Sequence, residues 1–300
     1  MMCLQNKLDF NNIKIQSINA EWVHGNTALD VLRLDEIHPV VSGNKWFKLK
    51  YYLENAKQKG YDSIATFGGA YSNHIVAAAF ACREYGFKST GIIRGERPVK
   101  LSHTLMHAVE YGMQLQFISR ADYKNRETLR LADNLYRIEE GGHGSLGAKG
   151  ASEILQFVPV AETYTHIVCA LGTGTMFAGI INASATHQMV MGISVLRDNI
   201  SITNEVEALV DNANSHGDYT ILHDYHFGGY AKHPPQLINF MRMAWNKYNL
   251  PTDMVYTAKT LYAIQQLALN GFFATGSRIL MIHSGGLQGN ASLPVGLLPF

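Results

Sequence analysis

The chain has 300 residues, of which 47% are hydrophobic and 16% are charged, and its formal net charge is +1. This composition supports a large buried core and excludes a disordered chain. The nearly balanced charge gives no electrostatic basis for binding nucleic acid or an anionic membrane surface. The length suggests about two domains.

Cysteine usage and hydropathy indicate the compartment. The three cysteines, Cys3, Cys82 and Cys169, are widely spaced and fit neither a disulfide framework nor a zinc motif. The sequence contains no run of 18 apolar residues, and its first residues lack the apolar segment of a secretory signal. We therefore expect a soluble cytoplasmic protein without a bound metal.

The stretch from Asn44 to Gly60 predicts an amphipathic helix, with a favourable N-cap at its start and a glycine stop at its end. Its apolar stripe follows the i, i+3, i+4, i+7 spacing and comprises Leu49, Tyr52, Leu53 and Ala56. Lys45 and Lys48 fall in the first turn, where the helix dipole is already positive. Helix stability therefore does not explain these two lysines.

Beyond this helix, short apolar runs alternate with helical patterns. Strands are predicted at 62–67, 88–95, 113–119, 165–171, 188–196 and 278–286. Helices are predicted at 74–86, 98–112, 123–142, 151–158, 176–185, 203–214, 234–247 and 258–269. Such alternation predicts parallel sheets covered by helices. The glycine-rich stretch at 141–150 is the best candidate for a crossing between domains.

Three glycine turns follow predicted strands, at 67–74, 171–179 and 283–289. Ligands bind at this edge of open parallel sheets. The middle turn, "LGTGTMFAG", resembles an anion cradle, because glycines let backbone N–H groups face a phosphate at a helix N-terminus. It is not a GxGxxG motif, since Phe177 replaces the third glycine. Taken alone, this turn is equally compatible with a ligand-free connection.

Six motifs, in order from about residue 40 to 290, resemble those of a family of pyridoxal-phosphate enzymes. That family includes D-cysteine desulfhydrase and 1-aminocyclopropane-1-carboxylate deaminase. The motifs are "GNKWFKLKYYL", "FGGAYSNHIVAAAFACREYG", "EEGGHGSLGAKG", "GTGTMFAG", "DMVYTAKTLYAI" and "IHSGG". The resemblance implies an α/β protein of PLP fold type II, similar to the tryptophan synthase β subunit. Two domains, each with a helix-covered, mostly parallel twisted sheet, would comprise 1–45 with 149–300, and 46–148.

The resemblance also implies a set of site residues. The matching cofactor-binding residues are Lys45, Lys48, Asn73, Gly172, Thr173, Gly174, Thr175 and Ser284. The matching catalytic residues are Lys45, Ser72, Tyr230 and Tyr256. Substrate contacts would come from Tyr71, Ser72 and His74, although a packing role fits His74 equally well. A homodimer and a small amino-acid substrate follow from the same resemblance.

The family assigns a role to each of these positions. Lys45 would form the Schiff base with pyridoxal phosphate, which explains its place at the helix start. Lys48 would offset phosphate charge one turn along the same face. Ser72 would lie beside the reacting substrate carbons, Asn73 would contact the phenolic oxygen, and Ser284 would face the pyridine nitrogen.

Three positions depart from the family pattern: Tyr71 replaces glutamine, Phe47 replaces arginine, and Met176 replaces a hydroxyl residue. The change at Tyr71 removes an amide that could bind a substrate carboxylate. The cofactor site is thus expected to be complete, while the substrate pocket differs from the usual one.

Two activities compete within this family. The cyclopropane deaminases tend to have Glu after the VY tyrosine and Leu before the final Gly-Gly, where this chain has Thr257 and Ser284. These hydroxyls favour β-elimination of thiol from D-cysteine, giving a 2-oxo acid and ammonia. Deamination of 1-aminocyclopropane-1-carboxylate is the alternative. A non-catalytic binding protein and a nucleotide-binding oxidoreductase are further alternatives from other classes, and the latter does not explain "GNKWFK" or "AYSNH".

Overall fold

The computed structural model describes residues 8–211 and 213–300, so Cys3 lies outside the described residues. The chain forms two compact units. The larger unit comprises the described residues up to Asn44 together with Ala151–Phe300, and the smaller unit is Lys45–Gly150. Within the described part of the chain, no helix is both long enough and apolar enough to cross a membrane.

Strands and helices alternate along most of the chain. The strands are β1 (Ile15–Ser17), β2 (Ala28–Arg33), β3 (Ser63–Gly68), β4 (Lys88–Arg94), β5 (Gln114–Ile118), β6 (Leu135–Ile138), β7 (His166–Leu171), β8 (Met189–Ser194), β9 (Asp218–Leu222) and β10 (Arg278–His283). The α-helices are α1 (Lys45–Gln58), α2 (Asn73–Tyr85), α3 (His103–Glu110), α4 (Arg120–Lys124), α5 (Ser145–Ser152), α6 (Thr175–Ala183), α7 (Ile202–Glu207), α8 (Pro235–Tyr248) and α9 (Thr257–Leu269).

The larger unit contains a six-stranded sheet in the order β1-β2-β10-β7-β8-β9. All pairings in it are parallel except that between β1 and β2. The central strands β7 and β10 are apolar runs that are buried almost throughout, as expected for parallel strands covered on both faces. The carboxyl ends of these two neighbouring strands therefore open onto the same edge of the sheet.

The smaller unit contains a four-stranded, wholly parallel sheet in the order β5-β4-β3-β6. Every residue of β3 is buried, which fits its place inside the sheet. The chain proceeds from β3 outward to β4 and β5 and then returns to β6 on the other side of β3. Ligands bind beyond the carboxyl ends of strands in sheets that reverse direction in this way. The predicted fold class, two helix-covered and mostly parallel sheets, is confirmed.

Helix α1 has the predicted bounds and burial. Its apolar stripe is buried, and Gly60 ends it in the left-handed conformation at φ 75°. The Gly60 N–H bonds to the Lys57 carbonyl, and the Tyr61 N–H bonds to the Ala56 carbonyl. A glycine in this conformation satisfies helix-terminal carbonyls without steric cost.

The helix predicted at 123–142 is wrong. Short helical turns occupy its first part, and its last part contains β6, which pairs with β3 from Ser63↔Leu135 to Thr66↔Ile138. Sheet pairing therefore overrides the local helix preference of this polar stretch. Most of the glycine-rich stretch at 141–150 forms the start of α5, and the division between the two compact units falls at its end, between Gly150 and Ala151. Strands β2 and β9 were not predicted, and the helix predicted at 203–214 is shorter, at Ile202–Glu207.

Candidate active site

The loop after β7 has the geometry of an anion cradle. Gly174 lies at φ 74° and precedes α6, and a Cβ atom there would lie 2.9 Å from Val206 Cγ2. A Cβ atom on Gly172 would lie 3.3 Å from the ring of Tyr256. A side chain at either position would therefore crowd Val206 or Tyr256, so the loop conformation favours glycine at both positions. The N-terminus of α6 supplies the positive end of its dipole, so Gly172, Thr173, Gly174 and Thr175 fit a phosphate group.

The two predicted tyrosines lie side by side in the larger unit. The ring centroids of Tyr230 and Tyr256 are 6.3 Å apart, with the rings at 76°. Tyr230 follows two glycines, and the ammonium of the buried Lys259 donates a 2.7 Å hydrogen bond to the Gly229 carbonyl. Burial lowers the pKa of Lys259 to about 8, although Asp253 acts in the opposite direction. Lys259 was missed by sequence analysis, and it connects the Tyr230 loop to the helix that begins beside Tyr256.

Asp253 is a second residue that sequence analysis missed. Its carboxylate accepts backbone N–H bonds from Val255, Tyr256 and Thr257 at 2.8, 2.9 and 2.9 Å. The Thr257 hydroxyl donates to the same carboxylate at 2.8 Å and accepts from the Asp253 N–H at 2.7 Å. The Thr257 hydroxyl, one of the two hydroxyls that favour β-elimination in the sequence, is therefore engaged with Asp253. This hydroxyl stabilises the start of α9.

Ser284 follows β10 and lies against the chain segment that leads into α1. The Asn44 N–H donates to the Ser284 carbonyl at 3.2 Å. Gly43 lies at φ 71°, and a Cβ atom there would lie only 1.8 Å from the Ser284 carbonyl oxygen. A glycine is thus required at position 43. The amide of Asn44 also lies 3.0 Å from the sulfur of Met176, the residue that departs from the family pattern in the phosphate loop.

A buried ion network lies directly before Ser284 in the sheet. The parallel pairing of β2 and β10 places His283 opposite Arg33. Arg33 donates two hydrogen bonds to the Asp35 carboxylate, at 2.8 and 2.6 Å, and His283 Nδ1 lies 3.0 Å from Asp35 Oδ1. His283 Nε2 lies 2.8 Å from the Pro251 carbonyl. The Asp35 carboxylate and the Pro251 carbonyl both offer acceptors to the imidazole, which favours its protonated form.

The pKa values in this network follow from the competition between burial and charge. Burial alone would lower the pKa of His283, but the Asp35 carboxylate outweighs it and raises that pKa. Burial alone would raise the pKa of Asp35, but His283 and Arg33 together hold it well below its usual value. The network therefore favours the charged form of each of its three groups.

In the smaller unit, the starts of α1 and α2 bring Lys45, Lys48 and His74 within electrostatic range of one another. Lys48 is 4% exposed, and burial together with the charge of Lys45 holds its pKa well below the ordinary lysine value. Gly142 packs on Lys48, because a Cβ atom at Gly142 would lie 3.2 Å from Lys48 Cβ. Lys45 is only partly buried. An uncharged lysine amine is the form that attacks a carbonyl carbon, and clustering lysines favours it.

His74 is buried and uncharged. Its Nε2 lies 2.7 Å from the Thr66 hydroxyl, which donates to the Ile138 carbonyl at 2.9 Å, so Nε2 carries the hydrogen. Burial, with Lys48 and Lys45 nearby, holds the pKa of His74 well below its usual range. Its Nδ1 is buried and accepts no hydrogen bond within the described residues. The ring therefore has a structural partner on one side and an open acceptor on the other.

Ser72 and Asn73 occupy the turn at the start of α2. Ser72 is at the N-cap position, yet its hydroxyl makes no capping hydrogen bond to the helix. The Asn73 side-chain oxygen is buried and, among the described residues, has no hydrogen-bond partner. Unsatisfied buried polar atoms are costly in a folded protein and mark places where a ligand completes the bonding. Both side chains are therefore available to a bound molecule, and Asn73 fits a cofactor oxygen.

Replacement of Ser72 tests whether its hydroxyl has a role beyond the helix. Because this hydroxyl does not cap α2, Ser72→Ala should leave the melting temperature nearly unchanged. We expect turnover to fall by about 10²-fold, with the absorbance of bound cofactor retained. Circular-dichroism melts and steady-state assays on the same preparation measure both effects.

Ser119→Ala is the matched control, because the Ser119 hydroxyl does cap a helix by accepting the Asp122 N–H at 3.0 Å. It should cost about 1 kcal/mol of stability and leave turnover unaffected. A Ser72 variant that behaves like the Ser119 variant would show that Ser72 is purely structural.

Comparisons with known proteins identify the family to which the chain belongs. The sequence profile of the family described as "Pyridoxal-phosphate dependent enzyme" matches residues 29–285. The chain is 28% identical over 281 residues to a putative 1-aminocyclopropane-1-carboxylate deaminase of Thermotoga maritima, a match that covers 86% of this chain and 88% of that protein. It is 28% identical over 302 residues to the mitochondrial bifunctional D-cysteine desulfhydrase/1-aminocyclopropane-1-carboxylate deaminase of Arabidopsis thaliana, covering 90% of this chain and 75% of that protein.

Among solved structures, the fold is similar to that of an ACC deaminase homologue. The TM-score is 0.76 at 24% identity, covering 93% of this chain and 90% of the other. The family profile spans most of the chain, from β2 to the residues just after β10. It therefore includes α1 and the glycine turns at 67–74 and 171–179. The chain belongs to the family of pyridoxal-phosphate dependent enzymes, and pyridoxal phosphate is its cofactor.

Proposed function

We propose that the protein is a lyase that converts a small amino acid into a 2-oxo acid and ammonia, with D-cysteine-like β-substituted alanines as substrates. The main support for this proposal is the identity of the residue that follows β10. Ser284 directly follows β10, at the position that the family resemblance assigns to the pyridine nitrogen, and the Thr257 hydroxyl is bonded to Asp253. A hydroxyl cannot hold a pyridinium ion as a carboxylate can. This favours reactions in which a good leaving group departs from Cβ soon after Cα loses its proton.

The names of the relatives support this class of reaction. One relative is named a D-cysteine desulfhydrase as well as a cyclopropane deaminase, and others are named for the deaminase alone. Pyridoxal phosphate, when bound, withdraws electrons from the Cα of an amino acid. The chemistry that remains for this chain is to bind the cofactor and to move protons.

We assign the proton and binding roles as follows. Lys45 binds the cofactor aldehyde and, once released by substrate, removes the Cα proton. Ser72 hydrogen-bonds the substrate beside its reacting carbons. Tyr230 and Tyr256 face the substrate as hydroxyl donors. The loop Gly172–Thr175 and Lys48 bind the phosphate, Asn73 binds the phenolic oxygen, and Ser284 binds the pyridine nitrogen. Tyr71 and His74 complete the substrate contacts.

We further propose that the larger unit, with boundaries near 1–45 and 149–300, serves as the cofactor-binding domain and that 46–148 is the smaller inserted domain. We propose a cytoplasmic homodimer. The buried, unpaired thiols of Cys82 and Cys169 support a reducing compartment.

A substrate panel tests the activity. We expect D-cysteine and β-chloro-D-alanine to yield pyruvate and ammonia, while 1-aminocyclopropane-1-carboxylate yields little 2-oxobutyrate. D-serine and the L-enantiomers complete the panel, with 2-oxo acid and ammonia measured for each compound. The Lys45→Ala variant serves as the blank.

The outcomes separate the alternatives. Faster turnover of the cyclopropane acid than of every β-substituted alanine would establish the deaminase alternative instead. Tight amino-acid binding without 2-oxo acid from any compound would indicate the non-catalytic binding protein.

A further inference from the structure

A basic pocket of about 670 Å³ lies within the smaller unit. Its walls come from the carboxyl-terminal ends of the four strands of the parallel sheet and from the segments that follow them. Gly69, Ala70 and Tyr71 follow β3, and Glu140 follows β6. The other wall residues are Arg94, Arg120, Tyr123, Lys124 and Arg126. This is the edge at which parallel sheets bind ligands.

The charge of this pocket is unlike that of the chain as a whole. Four cations, Arg94, Arg120, Lys124 and Arg126, face one carboxylate, Glu140. The 300-residue chain has a net charge of only +1. Concentrating cations around one concave surface is unfavourable without a ligand, because like charges repel and clefts focus the field. The pocket therefore selects an anion.

The cations have few partners of their own. Arg126 lies 3.7 Å from Glu140, whereas Arg94, Arg120 and Lys124 form no ion pair within the described residues. Arg94 is held by contacts that leave its charge unneutralised: its guanidinium lies over the Tyr123 ring at 5.7 Å, and a Cβ atom on Gly69 would lie 3.6 Å from it. The guanidinium is thus positioned against the backbone of the β3 turn.

Two buried donors also lack a well-placed acceptor within the described residues. The Tyr123 residue is 2% exposed, and its hydroxyl lies near the Glu140 carboxylate without meeting the geometry of a hydrogen bond. The Arg126 Nε is buried and is likewise unpaired among the described residues. Burial, followed by the charge of Glu140 and partial hydrogen bonding to its carboxylate, raises the pKa of Tyr123, so the phenol remains a protonated donor. Unsatisfied donors beside unpaired cations indicate a ligand rich in anionic oxygen atoms.

One wall of the pocket is adjacent in sequence to the proposed substrate-binding residue Ser72. Gly69, Ala70 and Tyr71 form its wall and immediately precede Ser72 and Asn73 in the chain. Tyr71 replaces the family's glutamine, and the residue is 56% exposed and lines this pocket. An amino acid held by Ser72 can extend its side chain along this wall.

We propose that the pocket binds a second anionic group, carried on the β-substituent of the amino-acid substrate. This inference rests on the proposed lyase function and narrows its substrate class to β-substituted alanines with a phosphate or a comparable oxyanion. Arginine forks bind phosphate through two parallel hydrogen bonds, and three arginines line the pocket.

The corresponding reaction is balanced without an added oxidant. For O-phosphoserine, a base removes the Cα proton, the Cβ–O bond breaks, and its electron pair leaves on phosphate. The resulting enamine takes up one water molecule and yields pyruvate and ammonia. The overall change is O-phosphoserine plus water to pyruvate, ammonia and phosphate.

Comparison of an anionic and a neutral substrate on matched variants tests the proposal. The substrates are O-phospho-D-serine and β-chloro-D-alanine, with both L-enantiomers in parallel. The variant is the double substitution Arg120→Gln with Lys124→Gln, two exposed side chains without ion-pair partners in the described chain. The control is Lys88→Gln, at the opposite end of β4, whose side chain is 83% exposed.

We expect the double variant to lower kcat/KM for O-phosphoserine by about 100-fold, because each lost charge-assisted hydrogen bond contributes roughly tenfold. Its kcat/KM for β-chloroalanine should stay within about twofold of the parent, as should both values in the Lys88 variant. Equal losses on the two substrates, or no preference of the parent for the phosphorylated one, would overturn the proposal.

Calorimetric binding separates this proposal from the proposed function. Holoprotein is titrated with O-phosphoserine and with serine at low and high salt. Tighter, salt-sensitive binding of O-phosphoserine that the double variant loses supports the pocket even if no amino acid is turned over. Equal affinity for the two ligands would contradict the pocket, whatever the activity with other substrates.

Discussion

The Lys45→Ala variant is expected to lose the visible absorbance of protein-bound pyridoxal phosphate and to lose turnover by ~10³-fold or more. Lys45 is partly exposed at the start of α1, and Lys48 lies one turn further along in the core. A Schiff-base lysine must reach a cofactor and leave it again during each turnover, which a residue packed under Gly142 does less easily. Absorbance spectra of purified holoprotein, followed by assays with β-chloro-D-alanine, measure both effects.

Two further lysine variants in α1 test whether the loss of absorbance is specific to Lys45. Lys57→Ala, at an exposed position near the end of α1, should leave absorbance and turnover unchanged. Lys48→Ala should weaken cofactor binding while the absorbance of the remaining bound cofactor persists. Retained absorbance in Lys45→Ala, with loss in Lys48→Ala, would assign the Schiff base to Lys48.

The second large effect is expected at the buried ion network. Asp35→Asn should lower the free energy of unfolding by about 3–5 kcal/mol, because His283 would be left as a buried cation without a carboxylate and Arg33 would keep only Glu36, at 3.1 Å. A loss of this size corresponds to a melting temperature lower by about 10 °C. Differential scanning calorimetry of the parent and the variant measures it.

The stabilising contribution of the buried ion network depends on pH. The pKa of His283 is raised in the folded protein, so its stabilising contribution is complete below the usual histidine value of about 6.5. That contribution is lost as pH rises through the raised pKa. The pKa of Asp35 is lowered, so its contribution is present above the usual aspartate value and disappears as pH falls through the lowered one. The network is therefore most stabilising at mildly acidic pH.

In Asp35→Asn the sign for His283 should reverse. Without the carboxylate, burial favours the neutral imidazole, so the pKa of His283 falls below that of the unfolded chain. The melting temperature of the variant should then rise as pH increases from about 5 to about 8, relative to the parent. Asp218→Asn, at an exposed position on β9, is the control and should show the parent profile. If the melting temperature of the Asp35 variant is lower than that of the parent by the same amount at every pH, the raised pKa of His283 is contradicted.

Much of the fold could be predicted from sequence because its strands are buried on both faces. Strands such as β7 and β10 are continuous apolar runs followed by glycines, and this signal is visible without any tertiary information. Strand β6 has no such signal, since its residues are mostly half-buried and polar neighbours surround it. Only pairing with β3 makes it a strand, and pairing between distant segments is not encoded in a local window.

The site could be predicted where chemistry is carried by short motifs. The residue types of the turns are visible in the sequence. These turns lead into Lys45, form the glycine loop at 172–175 and contain Ser284. Asp253 and Lys259 were missed because their roles depend on partners that only the folded chain supplies: the N–H groups at the start of α9 and the Gly229 carbonyl. The same holds for the basic pocket, whose cations come from segments after separate strands.

The contact between Gly43 and Ser284 has a consequence for the order of events during synthesis. The two residues are 241 positions apart, yet the Gly43 Cα lies where no side chain can fit beside the Ser284 carbonyl. Strand β2, just before this segment, also pairs with β10. The backbone leading into Lys45 therefore reaches its final position only after the last strand has left the ribosome. Contacts of this range slow folding, so a nascent chain ending before about residue 283 should not capture its cofactor.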